Sequence, residues 1–299
     1  MTMIKYEEMK GIADIGMYAR FTYREYLKRI SSKYPDYVPV IIAAKHDNKP
    51  IGMAIAQPED SQKQAELLSL WVDKDYQNQG IATELLNRIE QECLGRDLFR
   101  LYCQYLNDND TSPALERTLE KCNFSKPEPK MLAIRCSIES IKTAPWFRKY
   151  KLPSHFSIRP WVTLTEIERN QIARSNANAQ WIPEDLVPFL FESNMEPITS
   201  VALLVKGEVR GWVINHWIDG NLRFTCSYMH PDQQRLGRIL LLYNESVRLM
   251  PSINASVGMW AVPLKHKRMV DFSTRWFKPY SIYFDFILES EKLLSVIRL

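Results

Sequence analysis

The residues DKDYQNQGIATELL (73–86) set a polar turn and a single glycine, Gly80, directly before an amphipathic helix whose apolar face is Ile81, Leu85, Leu86 and Ile89. That junction has the makings of an anion site. The first N–H groups of a helix have no internal acceptor and sit at the positive end of the helix dipole. Glycine at 80 and alanine at 82 keep bulky side chains away from a phosphate that approaches the main chain. The same residues also read as an ordinary helix cap, so the junction alone leaves both meanings open. It is not a P-loop, since no Gly-Lys-Ser/Thr follows, and not a dinucleotide fingerprint, which needs three glycines. A fainter version, PDQQRLGRILLL (231–242), returns around Gly237.

Other reactive side chains form no pattern. The five histidines show no ligand spacing, and no two of the five cysteines (Cys93, Cys103, Cys122, Cys136, Cys226) stand as Cys-x-x-Cys. That argues against a metal site or a disulfide framework and suits a reducing cytosol. Cys122 lies on an expected helix without a companion histidine, so a nucleophilic role is not expected, and His230 reads as structural. LKHKRMVDFSTRWFKPY (264–280) mixes bases with aromatics; a helix with a solvated basic face and an aromatic core face explains it, as would a surface for nucleic acid or cofactor phosphates.

The elements that must position the junction recur twice. YVPVIIAAKHDNKPIGMAIAQP reads as two strands hinged at HDNKP, and AELLSLWV as a third antiparallel one leading into the turn. Before Gly237 come SVALLVKGEVRGWVINHW, hinged at KGE, and NLRFTCSYM. Downstream, LFRLYCQY (strand), SPALERTLEKCNF (helix) and KMLAIRCSI (final strand) are matched by ASVGMWAV, LKHKRMVDFSTRWF and SIYFDFILE. A duplicated α/β unit is the economical reading. It makes residues 1–140 the first domain, 141–154 a linker, with the boundary in KTAPWFRKYKLPSHF, and 155–299 the second domain.

The bulk properties agree. A chain of 299 residues with 45% hydrophobic and 25% charged content can fill two ordinary cores. Its net charge of +4 is too mild to drive nucleic-acid or membrane binding, though it tolerates an anionic ligand. No apolar run is long enough to span a bilayer, and MTMIKYEEMKGIADIG lacks the apolar core of a secretory leader, which points to the cytoplasm.

Gln77, Gly80 and Ala82, in their strand–turn–helix setting, resemble the Gln/Arg-x-x-Gly-x-Gly/Ala pyrophosphate motif of the GCN5-related N-acetyltransferases (GNAT), and AELLSLWVDKDY resembles that family's fourth strand. With its echo at Gly237 the resemblance covers both halves. It implies an α/β (α+β) fold of two tandem GNAT-like domains, each a mixed, largely antiparallel central sheet flanked by helices. It also implies acetyl-CoA as acyl donor, a small-molecule or peptide amine as acceptor, direct attack without an acyl-enzyme, and no metal. Main-chain groups of Leu70, Trp71 and Val72 would hold the pantetheine and polarise the thioester carbonyl. The amides of Gln77, Asn78, Gln79, Gly80, Ile81, Ala82 and Thr83 would hold the pyrophosphate. Glu66 would be the general base. An alkylammonium of pKa about 10.4 is neutral only about once in a thousand at pH 7, and base assistance is worth about 10²–10⁴-fold.

Departures from the family bear on catalysis. The helix tyrosine that protonates the leaving thiolate, in a run like Tyr-Glu-Lys-x-Gly-Phe, is replaced in LEKCNF by Leu119, and the glycine by Asn123. Tyr102 and Tyr105 are the hydroxyls at hand to substitute. The second half keeps Gln234 and Gly237 but carries Ile239 for the small residue, Arg223 where Glu66 would be, and Phe272 at the tyrosine position, with Arg235 and Arg238 able to meet phosphates. The first half is therefore expected to be catalytic and the second supporting. Two rival functions suit the same residues: a non-catalytic acyl-CoA-binding scaffold, and a transferase of a larger acyl group.

Overall fold

Runs of alternating apolar residues form strands here wherever one face can be buried under a helix. The computed structural model describes residues 3–9, 12–31, 38–107, 110–148, 152–218, 220–234 and 237–294. They form two compact units, one of Met1–Lys130 with Phe286–Leu299 and the other of Met131–Asp285.

In the first unit, β1 (Lys5–Glu8), β2 (Val40–His46), β3 (Lys49–Glu59), β4 (Gln64–Val72) and β5 (Arg100–Leu106) lie side by side in that order. All neighbours are antiparallel except β4 and β5, which are joined by the crossover helix α2 (Ile81–Gly95) and run parallel. Ile81, Leu85, Leu86 and Ile89 of α2 pack on Val40, Ile42, Leu67 and Leu101, and Leu119 of α3 (Ser112–Lys121) joins the same core. The other face of the sheet buries Ile41, Met53 and Ile55 under Tyr18 and Phe21 of a 3-10 segment (Ile12–Phe21) and Ile30 of α1 (Arg24–Ser31).

The second unit repeats the plan. Its sheet runs β6 (Glu128–Ser137), β11 (Val257–Pro263), β10 (Asn221–Met229), β9 (Glu208–Ile218), β8 (Val201–Val205), β7 (Phe156–Pro160), with β10 and β11 the parallel pair. Helix α7 (Leu240–Leu249) takes the place of α2, while α6 (Glu166–Ala179) and α8 (Lys267–Trp276) complete the covering helices. Each unit is thus a mixed, largely antiparallel sheet flanked by helices, with one parallel pair in each.

The division between units does not follow the linear boundaries at 140 and 155. The strand expected to close the first half, β6, pairs with β11 from Met131↔Pro263 to Ser137↔Val257. The strand expected to close the second, β12 (Tyr283–Leu293), pairs with β5 from Ile287↔Leu106 to Leu293↔Arg100. Long-range ion pairs fix that choice: Lys292 reaches Glu90 on α2 at 2.5 Å, and Arg100 reaches Glu289 at 2.9 Å and Glu291 at 2.6 Å. Nor is the stretch expected as a linker free of structure. It forms α4 (Ile138–Thr143) and α5 (Pro145–Arg148), and Trp146 and Phe147 pack against the second unit's core. Strands β1 and β7 have no counterpart in the sequence pattern; four or five residues of mixed polarity carry too short an alternation to announce an edge strand.

No helix among the described residues is long and apolar enough to cross a membrane, and no group of three or more His, Cys, Asp or Glu is placed to hold a metal ion.

Candidate functional site

Strand β4 changes phase in its middle. Ile55 of β3 faces Ser69 while Ala56 faces Leu67, so Leu68 is an extra residue, a β-bulge. Ala65 and Leu67 lie in the core under α2; past the bulge that core takes Leu70 and Val72, while Leu68 packs on the opposite side and Ser69 donates there to the Phe21 carbonyl. The bulge also ends the partnership with β5. The parallel ladder has only the pairs Gln64↔Arg100, Ala65↔Leu101 and Glu66↔Tyr102. From Leu67 to Val72 the β5-side edge of β4 therefore has no ladder partner, while its other edge stays paired to β3 through Ala54, Met53 and Gly52. Gly52 makes that last pairing possible: a Cβ there would lie 2.9 Å from the Trp71 carbonyl oxygen. Leu70 is half-buried, the Trp71 side chain is 48% exposed, and Val72 is buried.

The turn that follows is tied from within. The Asp73 amide donates to the Ile51 carbonyl at 2.8 Å, the Asp73 carboxylate caps Asp75, and Gln77 Nε2 donates to the Val72 carbonyl at 3.1 Å. Gln79 Nε2 reaches back to the Asp75 carbonyl at 3.3 Å. Both glutamines thus hold the loop with their side chains. Asn78 and Gly80 adopt left-handed conformations, φ 61° and 79°, and Gly80 caps α2 without any side-chain hydrogen bond. The first helical bond is from the Glu84 amide to the Gly80 carbonyl, 3.0 Å. The amides of Ile81, Ala82 and Thr83 consequently have no acceptor among the described residues, and residues 77–80 are exposed. A cluster of unsatisfied donors at the positive end of a 15-residue helix is what an anionic diphosphate needs.

One face of the sheet beside this opening gathers the proton-handling groups. In-register neighbours on parallel strands point the same way, so Glu66 and Tyr102 stand side by side. The Tyr102 hydroxyl donates to Glu59 Oε1 at 2.9 Å, and Gln64 Nε2 donates to the other Glu59 oxygen. Arg100 lies over the Tyr102 ring at 4.6 Å and donates to Gln64, Glu289 and Glu291, while Gln104 also donates to Glu289 at 2.8 Å. Burial, and then the charge of Glu66, push the ionisation of Tyr102 far above its ordinary value. Tyr105 turns the other way, to Glu116 at 3.2 Å, and burial foremost pushes its pKa up to about 12. Leu119, at the family's tyrosine position, is a fully buried core residue, and Asn123 takes the glycine's left-handed conformation at φ 61°, which asparagine tolerates. Cys122 is buried against Asn87, its thiol pushed up by desolvation. Glu59 and the C-terminal carboxylates escape sequence reasoning. Glu59 lies past the end of the apolar alternation of β3, and Glu289 and Glu291 come from the far end of the chain.

The second unit copies the scaffold in detail but not the side chains beside the opening. Gln234 Nε2 donates to the Met229 carbonyl at 2.9 Å, the His230 amide to the Arg210 carbonyl, and Gly237 has φ 65°. A bulge at Thr225 and a three-pair ladder from β10 to β11 recur. At the start of α7 the amides of Leu241, Leu242 and Tyr243 donate to the carbonyls of Arg238 and Ile239, so this helix opens on tighter bonds than the Glu84–Gly80 bond that opens α2. Arg238 is bonded to Gln233 and lies over the Phe156 ring at 5.6 Å, and Arg235 falls outside the described residues. Arg223 occupies the position of Glu66, with Met259 where Tyr102 stands. His216, in the place of Gln57, has both ring nitrogens engaged by Thr225 and the Ser193 carbonyl.

Residues 9–124 match the model of the acetyltransferase (GNAT) family. No curated protein sequence matches the chain. A tandem GNAT protein from the clavulanic acid biosynthesis pathway shares its fold with a TM-score of 0.71 at 10% identity, over 98% of this chain and 99% of that one. A GCN5-related N-acetyltransferase from Sphaerobacter thermophilus follows at 0.68 and 12% identity, over 98% and 96%. A glucosamine N-acetyltransferase region of a fungal multi-domain β-N-acetylglucosaminidase is similar at 0.67 and 11% identity, over 97% of this chain and 38% of that one.

Proposed function

We propose that this chain, whose residues 9–124 form a GNAT-family acetyltransferase domain within a tandem GNAT fold, transfers an acetyl group from acetyl-CoA to an amine, and does so in its first unit. The observation that carries this reading is the pairing of two features there: a β4 edge released from β5 beyond Glu66, and three free amides at the start of α2 directly after it. The pyrophosphate would lie on the amides of Asn78, Gln79 and Gly80 through Ile81, Ala82 and Thr83; the Gln77 amide, expected among them, donates instead to the Lys74 carbonyl at 3.4 Å. The pantetheine would run along the released edge at Leu70, Trp71 and Val72, where a main-chain N–H meets the oxyanion that develops on the thioester carbonyl. Glu66, half-buried beside Tyr102, takes a proton from the ammonium of the acceptor. The free amine then attacks the carbonyl carbon directly, with no acyl-enzyme.

The second unit supports the first; its base position holds Arg223, with Met259 where Tyr102 stands in the first. Five buried free thiols suit a reducing compartment, the cytoplasm. Calorimetry with acetyl-CoA, followed by thiol release across a panel of amines, tests the reading. One site per chain and amine-dependent release are expected. Tight binding with no release above hydrolysis would favour a non-catalytic acyl-CoA-binding protein, a reading that the apolar Leu119 at the tyrosine position also suits. A preference for longer acyl chains would favour a transferase of a larger group.

A further inference from the structure

Glu59 is a half-buried carboxylate whose hydrogen-bond partners are neutral donors, the Tyr102 phenol and the Gln64 amide. No cation pairs with it among the described residues. The nearby guanidinium of Arg100 is spent on Gln64, Glu289 and Glu291, and Lys130 is at 3.6 Å from Glu289. Glu66 adds a second carboxylate next to the same phenol. We propose that Tyr102 and Glu59 form a proton relay on the Glu66 face of the sheet, which carries a proton from the acetylated nitrogen to Glu59. The inference rests on the acetyl-transfer reading above.

The proton count requires a second exit. Turning an alkylammonium into an amide strips two protons from nitrogen, one before attack and one after the C–N bond has formed. Glu66 takes the first. The positively charged nitrogen of the tetrahedral intermediate gives the second to the Tyr102 oxygen while the Tyr102 proton passes to Glu59. The C–S bond then breaks; the proton on Glu66 goes to the departing sulfur and the proton on Glu59 to water. CoA thiol, amide and one released proton balance the reaction.

The surroundings oppose the simpler role of Tyr102 as a general acid. Donating its proton outright would leave a buried phenolate between Glu59 and Glu66, the ionisation that burial and those two carboxylates oppose. A relay keeps the phenol neutral throughout, since it accepts one proton as it gives another.

The test uses the full chain with Tyr102→Phe, Glu59→Gln and the double variant, assayed for thiol release with an aralkylamine, a diamine and a peptide amine. Each single variant is expected to lower kcat about ten- to a hundredfold at pH 7, with KM for acetyl-CoA unchanged and a wild-type melting temperature within a few degrees. The double variant is expected to be no slower than the worse single one, because both break the same path. The deficit shrinks towards pH 9, where the intermediate loses its proton to solvent unaided. Singles at the wild-type rate, or losses that multiply in the double variant, would overturn the relay alone. A wild type that binds acetyl-CoA but releases thiol with no amine overturns the transfer reading and the relay together.

Discussion

Gly80 and Gly52 are both glycines for a reason, and the reasons differ. Around Gly80, at φ 79°, the space a Cβ would take is open, so the demand is conformational. Gly80→Val is expected to cost about 1–2 kcal/mol through the left-handed backbone and to raise KM for acetyl-CoA as the cradle shifts. Gly80→Asn should regain most of the stability, as Asn78 shows two residues earlier at φ 61°. Thermal melts and initial rates on both variants check this, and an unaltered KM in the valine variant would count against the phosphate assignment. Gly52 has an ordinary φ, but its added Cβ would press on the Trp71 carbonyl at 2.9 Å. Gly52→Ala is expected to destabilise by about 1–3 kcal/mol and to disturb the β4 edge itself, seen as a lower melting temperature with weaker acetyl-CoA binding. The polar setting of Gly80 marks it in the sequence. Gly52 is indistinguishable there from any other strand residue, because the atom it spares belongs to a neighbouring strand.

Elements were legible where their period was long and hidden where a single residue shifts the phase. Strands β2–β5 and β8–β11 and helices α2, α3 and α7 follow from alternation and helical spacing. The bulge at Leu68 does not, because LLSLWV is apolar at nearly every position and a slip of one residue leaves no mark in such a run. The released edge of β4, the most consequential feature of the candidate site, is thus a product of pairing and not of local pattern. Helix α6 starts on a capping box of Thr165 and Glu168, with Arg159 paired to Glu168. Thr165→Ala is expected to cost about 0.5–2 kcal/mol. The Thr165 amide, its hydroxyl and Arg159 hold the Glu168 pKa below the usual carboxylate value. A depressed carboxylate pKa means stabilisation that is full above the unfolded value, about 4.3, and is lost as pH falls through the folded one. Glu168→Gln should therefore lower the melting temperature at pH 7 and converge on the wild type near pH 3; a constant difference across that range would refute the linkage.

At the scale of the whole molecule, the order of the chain and the order of the sheets part company. Apolar alternation tells β6 and β12 that they are strands, but not whose; the partners are chosen by groups far apart in sequence. Lys292 pairs with Glu90, Leu294 is buried in the first unit's core with its amide on the Phe99 carbonyl at 2.7 Å, and Arg100 is held by Glu289 and Glu291. The five buried cysteines offer a probe of both units, three in the first and two in the second. Burial pushes the thiols of Cys93, Cys103, Cys136 and Cys226 up to about 12, so the native chain is expected to consume almost no thiol reagent at pH 8 and all five equivalents once unfolded. That silence makes a truncation experiment readable. Residues 1–140 lack β12, so they leave the β5 edge unpaired and Glu90 without Lys292, and they carry the apolar face of β6 with no β11 to cover it. This fragment is expected to bind a hydrophobic dye, to aggregate and to expose Cys93, Cys103 and Cys122 to reagent. Residues 1–127 joined by a flexible linker to 283–299 should instead be monomeric, with one cooperative melt and protected thiols. A 1–140 fragment that protects its cysteines and melts like the fused version would show that the returning strand is dispensable, and the boundary near 140 would then describe the folding unit after all.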